Sequence, residues 1–277
     1  MHFENTLEFA KEMDNKDPLR SFRDEFIFPS FGKEHPVYFT GNSLGLQPKK
    51  AKQYLLEELE DWGALGVEGH FEGRRPWYSY HELLQASQQF ASVLLNGQKD
   101  LNESRVAFMV NPGFDYVKVQ WGIWLAGGVV VPLCLTHPLP SLQYVIEDTE
   151  AKVIVISPEY QSILQDYCTA NQIRLIVLGD EQHNKTVALP EISLDRREMI
   201  LYTSGTTNKP KGVVTTHANI EAQISTLVDS WKWSADDHIL CVLPLHHVHG
   251  IVNVVSCSLW SGATCEFLPS FSAEAIF

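Results

Sequence analysis

From Ala51 the apolar residues Tyr54, Leu55, Leu59, Trp62 and Leu65 recur at helical spacing, with Glu57, Glu58, Glu60 and Asp61 between them. That pattern predicts an amphipathic helix. Upstream, Val37-Tyr38-Phe39 reads as a short strand, and the glycines of Gly41-Asn42-Ser43-Leu44-Gly45 permit a sharp reversal after it. Between Gly63 and Pro76, glycines interleave with aromatics and the Arg74-Arg75 pair, a loop-like composition. Beyond His81 the rhythm changes. Helical periodicity over residues 83–95 and 114–125 alternates with apolar runs at 105–110 and 129–133. A helix at 142–148, a strand at 153–156, a helix at 159–168 and a strand at 174–178 continue the alternation. Strands and helices alternating through short connections are βαβ units. The expected fold class is therefore α/β, with the segments from Leu83 onward forming one parallel sheet covered on both faces. Residues before about Glu82 are expected to form a helical and loop appendage outside that sheet. There is no internal repeat.

Composition narrows the function. Of the 277 residues 44% are hydrophobic, enough for a sizeable core, and 21 Lys plus Arg face 34 Asp plus Glu, a formal charge of -13. Proteins that grip a nucleic-acid backbone work through basic surface, so no nucleic-acid partner is expected. A single nucleotide remains compatible, because a few local donors and a metal ion hold it. The five cysteines form no C-x-x-C pair, which predicts neither a disulfide framework nor a zinc knuckle. Met1-His2-Phe3-Glu4-Asn5 lacks the order of a signal peptide, and no apolar run approaches the roughly 20 residues that span a bilayer. The expectation is a cytoplasmic protein without a membrane partner; nothing in the sequence sets an oligomeric state.

Chemistry is concentrated after the strand candidate Met199-Ile200-Leu201-Tyr202, in Thr203-Ser204-Gly205-Thr206-Thr207-Asn208-Lys209-Pro210-Lys211-Gly212. Glycines let backbone N–H groups approach phosphate oxygens, hydroxyls add donors, and a lysine adds a movable charge. The G-K-[ST] ending of a Walker A loop is missing. The same residue types also serve as plain turn formers. Further on, Leu243-Pro244-Leu245-His246-His247-Val248-His249-Gly250 carries three histidines in four positions. A metal site needs companion ligands, and no Cys or carboxylate is close by; a loop at a strand end is expected to scatter the side chains. A hydrogen-bonded histidine at a strand end is the simpler alternative for His247.

Tyr-Thr-Ser-Gly-Thr-Thr-x-x-Pro-Lys-Gly over residues 202–212, followed by Val-Val-Thr-Thr-His, resembles the signature loop of the adenylate-forming superfamily, which includes AMP-forming acyl-CoA synthetases. The resemblance runs over about residues 80–277, including Ala126-Gly127-Gly128-Val129-Val130-Val131-Pro132-Leu133 and the His137-Pro138 turn. It implies ATP with Mg²⁺ and coenzyme A as co-substrates: a carboxylate attacks the α-phosphorus, giving an acyl-adenylate and pyrophosphate, and coenzyme A then takes the acyl group. By the same resemblance Thr203, Ser204, Gly205, Thr206 and Thr207 bind phosphate, Lys211 is the mobile cation, and His247 lies near the acyl group. The wording of the histidine segment most resembles the branch that activates malonate-type acids. The family's adenine-binding Tyr-Gly-x-Thr-Glu segment, ribose-binding aspartate, hinge and C-terminal domain with its catalytic lysine do not occur in the 277 residues. The chain is expected to be a truncated, inactive form of the ligase, with no confident catalytic residue.

The N-terminal text differs. Tyr38-Phe39-Thr40-Gly41-Asn42-Ser43-Leu44-Gly45-Leu46-Gln47-Pro48, then Glu57-Glu58-Leu59-Glu60-Asp61-Trp62 and Gly69-His70-Phe71-Glu72-Gly73-Arg74-Arg75-Pro76-Trp77, resembles kynureninase, a pyridoxal-phosphate hydrolase of tryptophan catabolism, over about residues 3–82. The resemblance maps substrate contacts onto Ser43 and His70, here vestigial; a turn hydroxyl and a surface loop histidine are the simpler readings. Pyridoxal phosphate is not expected to bind. The domain expectation is 1–82 kynureninase-like and 83–277 a partial AMP-binding domain, joined near Tyr80-His81-Glu82-Leu83-Leu84. Genomic rearrangement, a frameshifted gene and an assembly error all fit such a chimera, as does a module that pairs with a true kynureninase subunit.

Overall fold

The computed structural model describes residues 4–18, 20–29, 46–69, 73, 76–180, 187–203 and 209–268. Contacts divide the chain into two units, one of Met1–Tyr78 with Phe271–Phe277 and the other of Ser79–Ser270. The strand candidate at 37–39 and the turn at 41–45 lie outside the described residues.

In the first unit, helix α1 (Leu7–Lys16) starts at Thr6, whose hydroxyl accepts from Phe9 N at 3.2 Å. Strands β1 (Phe26–Ile27) and β2 (Gln47–Pro48) pair antiparallel. The helix predicted from Ala51 forms as α2 (Ala51–Leu65) and stops where Gly66 takes a positive φ of 58°. Its apolar stripe is not buried: Leu55, Leu59 and Trp62 are 67%, 56% and 70% exposed.

The second unit opens with α3 (Tyr80–Leu95), whose start is set by a capping box: Ser79 Oγ accepts from Glu82 N, and Glu82 Oε2 accepts from Ser79 N at 2.7 Å. There follow β3 (Arg105–Met109), α4 (Phe114–Leu125), β4 (Val129–Pro132), α5 (Leu139–Asp148), β5 (Val153–Ile156), α6 (Gln161–Ala170) and β6 (Arg174–Val177). Strand β7 (Arg197–Thr203), strand β8 (Lys211–Thr216) and helix α7 (His217–Trp231) complete the main layer. Six strands make one sheet in the order β6-β5-β3-β4-β7-β8, parallel except for β8. The all-parallel expectation is thus corrected at one edge. The stretch after Pro210 pairs back on β7, since the residues between Thr203 and Lys211 are too few for the crossover of a dozen or more that a parallel pair needs.

Both faces are covered, and the alternation of buried side chains shows how. Val106, Phe108, Val130, Val155, Met199 and Leu201 face one core with α3, α4 and α7. Ala107, Met109, Val131, Ile154 and Ile156 face the other with α5 and α6. Arg174 fastens β6 to the end of α3, donating to the carbonyls of Val93 at 2.9 Å and Leu94 at 3.2 Å, groups a helix C-terminus leaves unpaired. A second departure from one sheet lies downstream. β9 (His238–Cys241) and β10 (Thr264–Phe267) form a separate parallel pair. A π-helical segment, His249–Ser256, and α8 (Cys257–Ser261) connect them. Among the described residues no helix is long and apolar enough to cross a membrane.

Candidate functional site

β3 and β4 are neighbours in the parallel sheet, yet α4 after β3 packs in one core and α5 after β4 in the other. Connections that part to opposite faces leave a crevice beyond the carboxyl ends of the two strands, the usual ligand position in such sheets. The segment after β4 leads into it, and Tyr116, near the start of α4, ties in the segment after β9. The Tyr116 hydroxyl donates to the Leu245 carbonyl at 2.7 Å, and its ring packs 5.0 Å from that of Phe108. Burial holds this phenol protonated well above its ordinary range, so it acts as a fixed donor.

The segment so anchored holds the predicted histidines. It doubles back tightly: a Cβ at Gly250 would lie 2.9 Å from the Pro244 carbonyl oxygen, which is why glycine stands there. His247 N donates to Pro244 O at 3.4 Å, and the His247 carbonyl accepts from Ile251 N at 3.2 Å, so His247 leads into the π-helical segment. The expected scattering does not occur for two of the three imidazoles. The rings of His246 and His247 are 4.1 Å apart, and His137, from the segment after β4, lies 6.2 Å from His246. His246 is the more enclosed. Burial, with His247 and His137 beside it, pushes its imidazole down to about 4, so it is neutral at pH 7. His247 itself is exposed. Among the described residues no group of three or more His, Cys, Asp or Glu is placed to hold a metal ion.

The strands that flank the predicted phosphate loop, β7 and β8, pair antiparallel. Thr203 ends β7 and faces Lys211, the first residue of β8, across the ladder, so Lys211 stands on a strand and not in a loop. Ser204, Gly205, Thr206 and Thr207 lie outside the described residues, as do Ser43 and His70. Alternation along β7 puts Thr203 and Lys211 on the face of Met199 and Leu201, and Tyr202 and Gly212 on the face toward α5. Thr203 and Lys211 are both exposed. A hydroxyl and an ammonium presented together suit the oxygens of a polyphosphate. Gly212 has another task than backbone approach. A Cβ there would meet Ile200 Cγ2 at 2.9 Å and Tyr202 Cζ at 3.3 Å, so the Tyr202 ring lies across it. No described contact joins His247 to Thr203 or Lys211.

Sequence reasoning chose His247 and left His246, His137 and Tyr116 aside. The histidine spacing does not say which ring is buried, and the other two partners come from distant segments.

A family model described as AMP-binding enzyme matches residues 60–277. The mitochondrial malonate–CoA ligase ACSF3 of Homo sapiens is 41% identical over 211 residues, 72% of this chain and 37% of that enzyme. The crystal structure of ATP-bound MatB from Rhodopseudomonas palustris superposes with a TM-score of 0.64 at 26% identity, covering 71% of this chain and 41% of that one. Kynureninase of Christiangramia forsetii is 51% identical over 94 residues, 34% of this chain and 22% of that enzyme. The chain therefore spans well under half the length of these curated relatives. The family match takes in the switch point, the hairpin and the histidine segment alike, and on that ground the chain belongs to the AMP-binding enzyme family.

Proposed function

We propose that the Ser79–Ser270 unit is the phosphate- and acid-gripping part of an AMP-forming acid:CoA ligase. In this reading Thr203, Ser204, Gly205, Thr206, Thr207 and Lys211 hold the phosphates of Mg-ATP. His247 borders the acyl group, and the acid is malonate-like, with coenzyme A as acceptor. The observation that carries it is the hairpin at the carboxyl end of β7, which sets an exposed Thr203 opposite an exposed Lys211. When bound, Mg²⁺ would neutralise phosphate charge. The protein's own part is pre-organised donors aimed at those oxygens, together with a neutral His246 backing His247. To these 277 residues, which span about 37% of a malonate–CoA ligase, the proposal assigns weak binding rather than turnover. Calorimetric titration with Mg-ATP tests this: Lys211→Ala with Thr206→Ala is expected to abolish binding, and tight binding indifferent to both changes would sink the assignment. Malonate-dependent exchange of labelled pyrophosphate into ATP by the 277-residue chain would overturn the part that denies turnover.

We further propose that residues 1–82 derive from a kynureninase-like segment, with Ser43 and His70 as vestigial contacts and no pyridoxal phosphate bound. The 51% identity to a kynureninase over 94 residues supports this, while the family match beginning at residue 60 overlaps the proposed boundary. Long-read sequencing across the codons for Tyr80 to Leu84 tests it; a locus without that junction would discard the fusion. A cytoplasmic location belongs to the same proposal, although the human relative is named mitochondrial.

A further inference from the structure

Two residues one turn apart on α5, Tyr144 and Asp148, reach the two arms of the β7–β8 hairpin separately. Asp148 Oδ2 accepts the Tyr202 hydroxyl at 2.5 Å, on the arm that leads into the turn. The Tyr144 hydroxyl donates to the Pro210 carbonyl at 3.0 Å, on the arm that leads out, and Lys209 Nζ sits 5.3 Å from the Tyr144 ring centre. The rings of Tyr144 and Tyr202 meet edge to face at 6.1 Å. Helical spacing of four residues puts Tyr144 and Asp148 on one face. Between them on α5, Val145 and Ile146 are buried, so the grip comes from a rigid support. On the hairpin side the Tyr202 ring lies close over Gly212, where a Cβ would stand 3.3 Å from the ring Cζ and 2.9 Å from Ile200 Cγ2.

We propose that this arrangement is a clamp: Tyr144, Asp148 and Tyr202, with Gly212 as the space that admits the ring, are positioning residues that hold Thr203 opposite Lys211 for phosphate binding. The proposal rests on the phosphate reading of the hairpin. Its logic is steric and directional. β8 is an edge strand, paired on one side only, and two anchors on one helix fix the spacing of the two arms. Thr203 and Lys211 are directed to the opposite face, so the clamp grips the hairpin without competing for the phosphate. Burial and the bond to Asp148 raise the Tyr202 phenol far above its ordinary value, which keeps it a donor throughout the working pH range.

The test uses the 277-residue chain and the variants Tyr202→Phe, Asp148→Ala, Asp148→Asn and Gly212→Ala. Amide hydrogen exchange is read first. Faster exchange across residues 199–203 and 211–216 in Tyr202→Phe, Asp148→Ala and Gly212→Ala, with β3 and β5 unchanged and Asp148→Asn close to the parent, is expected. Unchanged exchange in that hairpin would overturn the clamp whatever the ligand result. Calorimetry with Mg-ATP and with Mg-tripolyphosphate follows. Tyr202→Phe and Asp148→Ala are expected to weaken both ligands at least about fivefold, with rescue in Asp148→Asn and no further loss when combined with Lys211→Ala. Parent-like affinity in Tyr202→Phe and Asp148→Ala, beside loss in Lys211→Ala, would remove the clamp and leave the phosphate reading standing. Indifference to Lys211→Ala would remove the phosphate reading, and the clamp's purpose with it.

Discussion

Glu198 carries an ionisable group into the sheet at a slip in the β7–β8 ladder: Arg197 pairs with Thr216 and Met199 with Thr215, leaving Glu198 as the extra residue of a bulge. Only 3% of it is exposed, and burial raises its carboxyl to about 8. Among the described residues its Oε2 has no hydrogen-bond partner, and His217 Nδ1 stands 3.6 Å away. The charged groups around this pair are Arg196 and Glu103, and burial with Arg196 holds the His217 imidazole below its ordinary value. A carboxyl raised in the folded state keeps a proton that the unfolded chain has lost, so its contribution to stability is full below the unfolded value and is lost as pH rises through about 8. The depressed His217 works the other way, adding stability as pH rises toward its unfolded value. Between about 6.5 and 7.5, before the thiols of Cys168, Cys241, Cys257 and Cys265, which burial raises, add a fall of their own, the Glu198 effect is the main one, with a slope of at most about 1.4 kcal/mol per pH unit. Urea midpoints across that range are expected to fall for the parent and to stay level for Glu198→Gln; a parallel fall in both would show that Glu198 is not the titrating group. Nothing in the sequence marks this residue, because Glu198 precedes an apolar run and a bulge depends on the partner strand.

At the scale of elements, local rules govern the ends and burial governs the middles. α3 begins at its capping box, so Ser79→Ala is expected to cost about 1 kcal/mol of stability, read as a shift in urea midpoint at constant slope. An unchanged midpoint would mean that the box is ornamental. Gly127 turns the chain between α4 and β4 at a φ of 79°, and a Cβ there would fall 2.1 Å from Asp100 Oδ1. Arg196 holds the same corner with a two-point bond to Asp100, at 2.8 and 2.9 Å, and a third to the Gly127 carbonyl. Gly127→Ala is expected to destabilise by about 3 kcal/mol, through strain and a broken ion pair together. Little or no change in midpoint would show that the corner relaxes freely. What the sequence displays well follows from the same division. The helix at 114–125 and the strand at 153–156 are legible to the residue, because their apolar pattern is their burial. The start of α3 is not, since the periodicity opens at Leu83 while the Ser79-x-x-Glu82 box fixes Tyr80. β8 is concealed for a different reason. Its Val213 and Val214 are 48% and 49% exposed, so no inward and outward alternation distinguishes it from the loop that the preceding glycine, lysine and proline suggest. The candidate site is legible where one segment carries it, as in Thr203 to Lys211, and illegible where segments meet, as with His137 beside His246 or Tyr144 beside Pro210.

For the whole molecule, the division at Tyr78 and Ser79 and the family match from residue 60 draw different boundaries, and burial decides between them. Among the described residues, every buried hydrophobic side chain falls between Leu83 and Ala263. Only the last turns of α2, from residue 60, fall inside the family match, and the helix contributes no buried residue. The two cores of the second unit are built from that unit's own side chains. A chain beginning at Ser79 also keeps its N-cap, since the Ser79 hydroxyl and the Glu82 carboxylate are both retained. The new terminal ammonium would sit at the N-terminus of α3, where positive charge is unfavourable, at a cost of about 0.3–1 kcal/mol. For a domain of this size that corresponds to a fall in Tm of about 1–4 °C. Thermal unfolding followed by far-ultraviolet circular dichroism is expected to show one cooperative transition for that chain, lower than the corresponding transition of the full chain by no more than this. A loss of more than about 10 °C, or of cooperativity, would mean that residues 60–78 belong to the folding unit after all and that the family boundary, not the contact boundary, is the physical one.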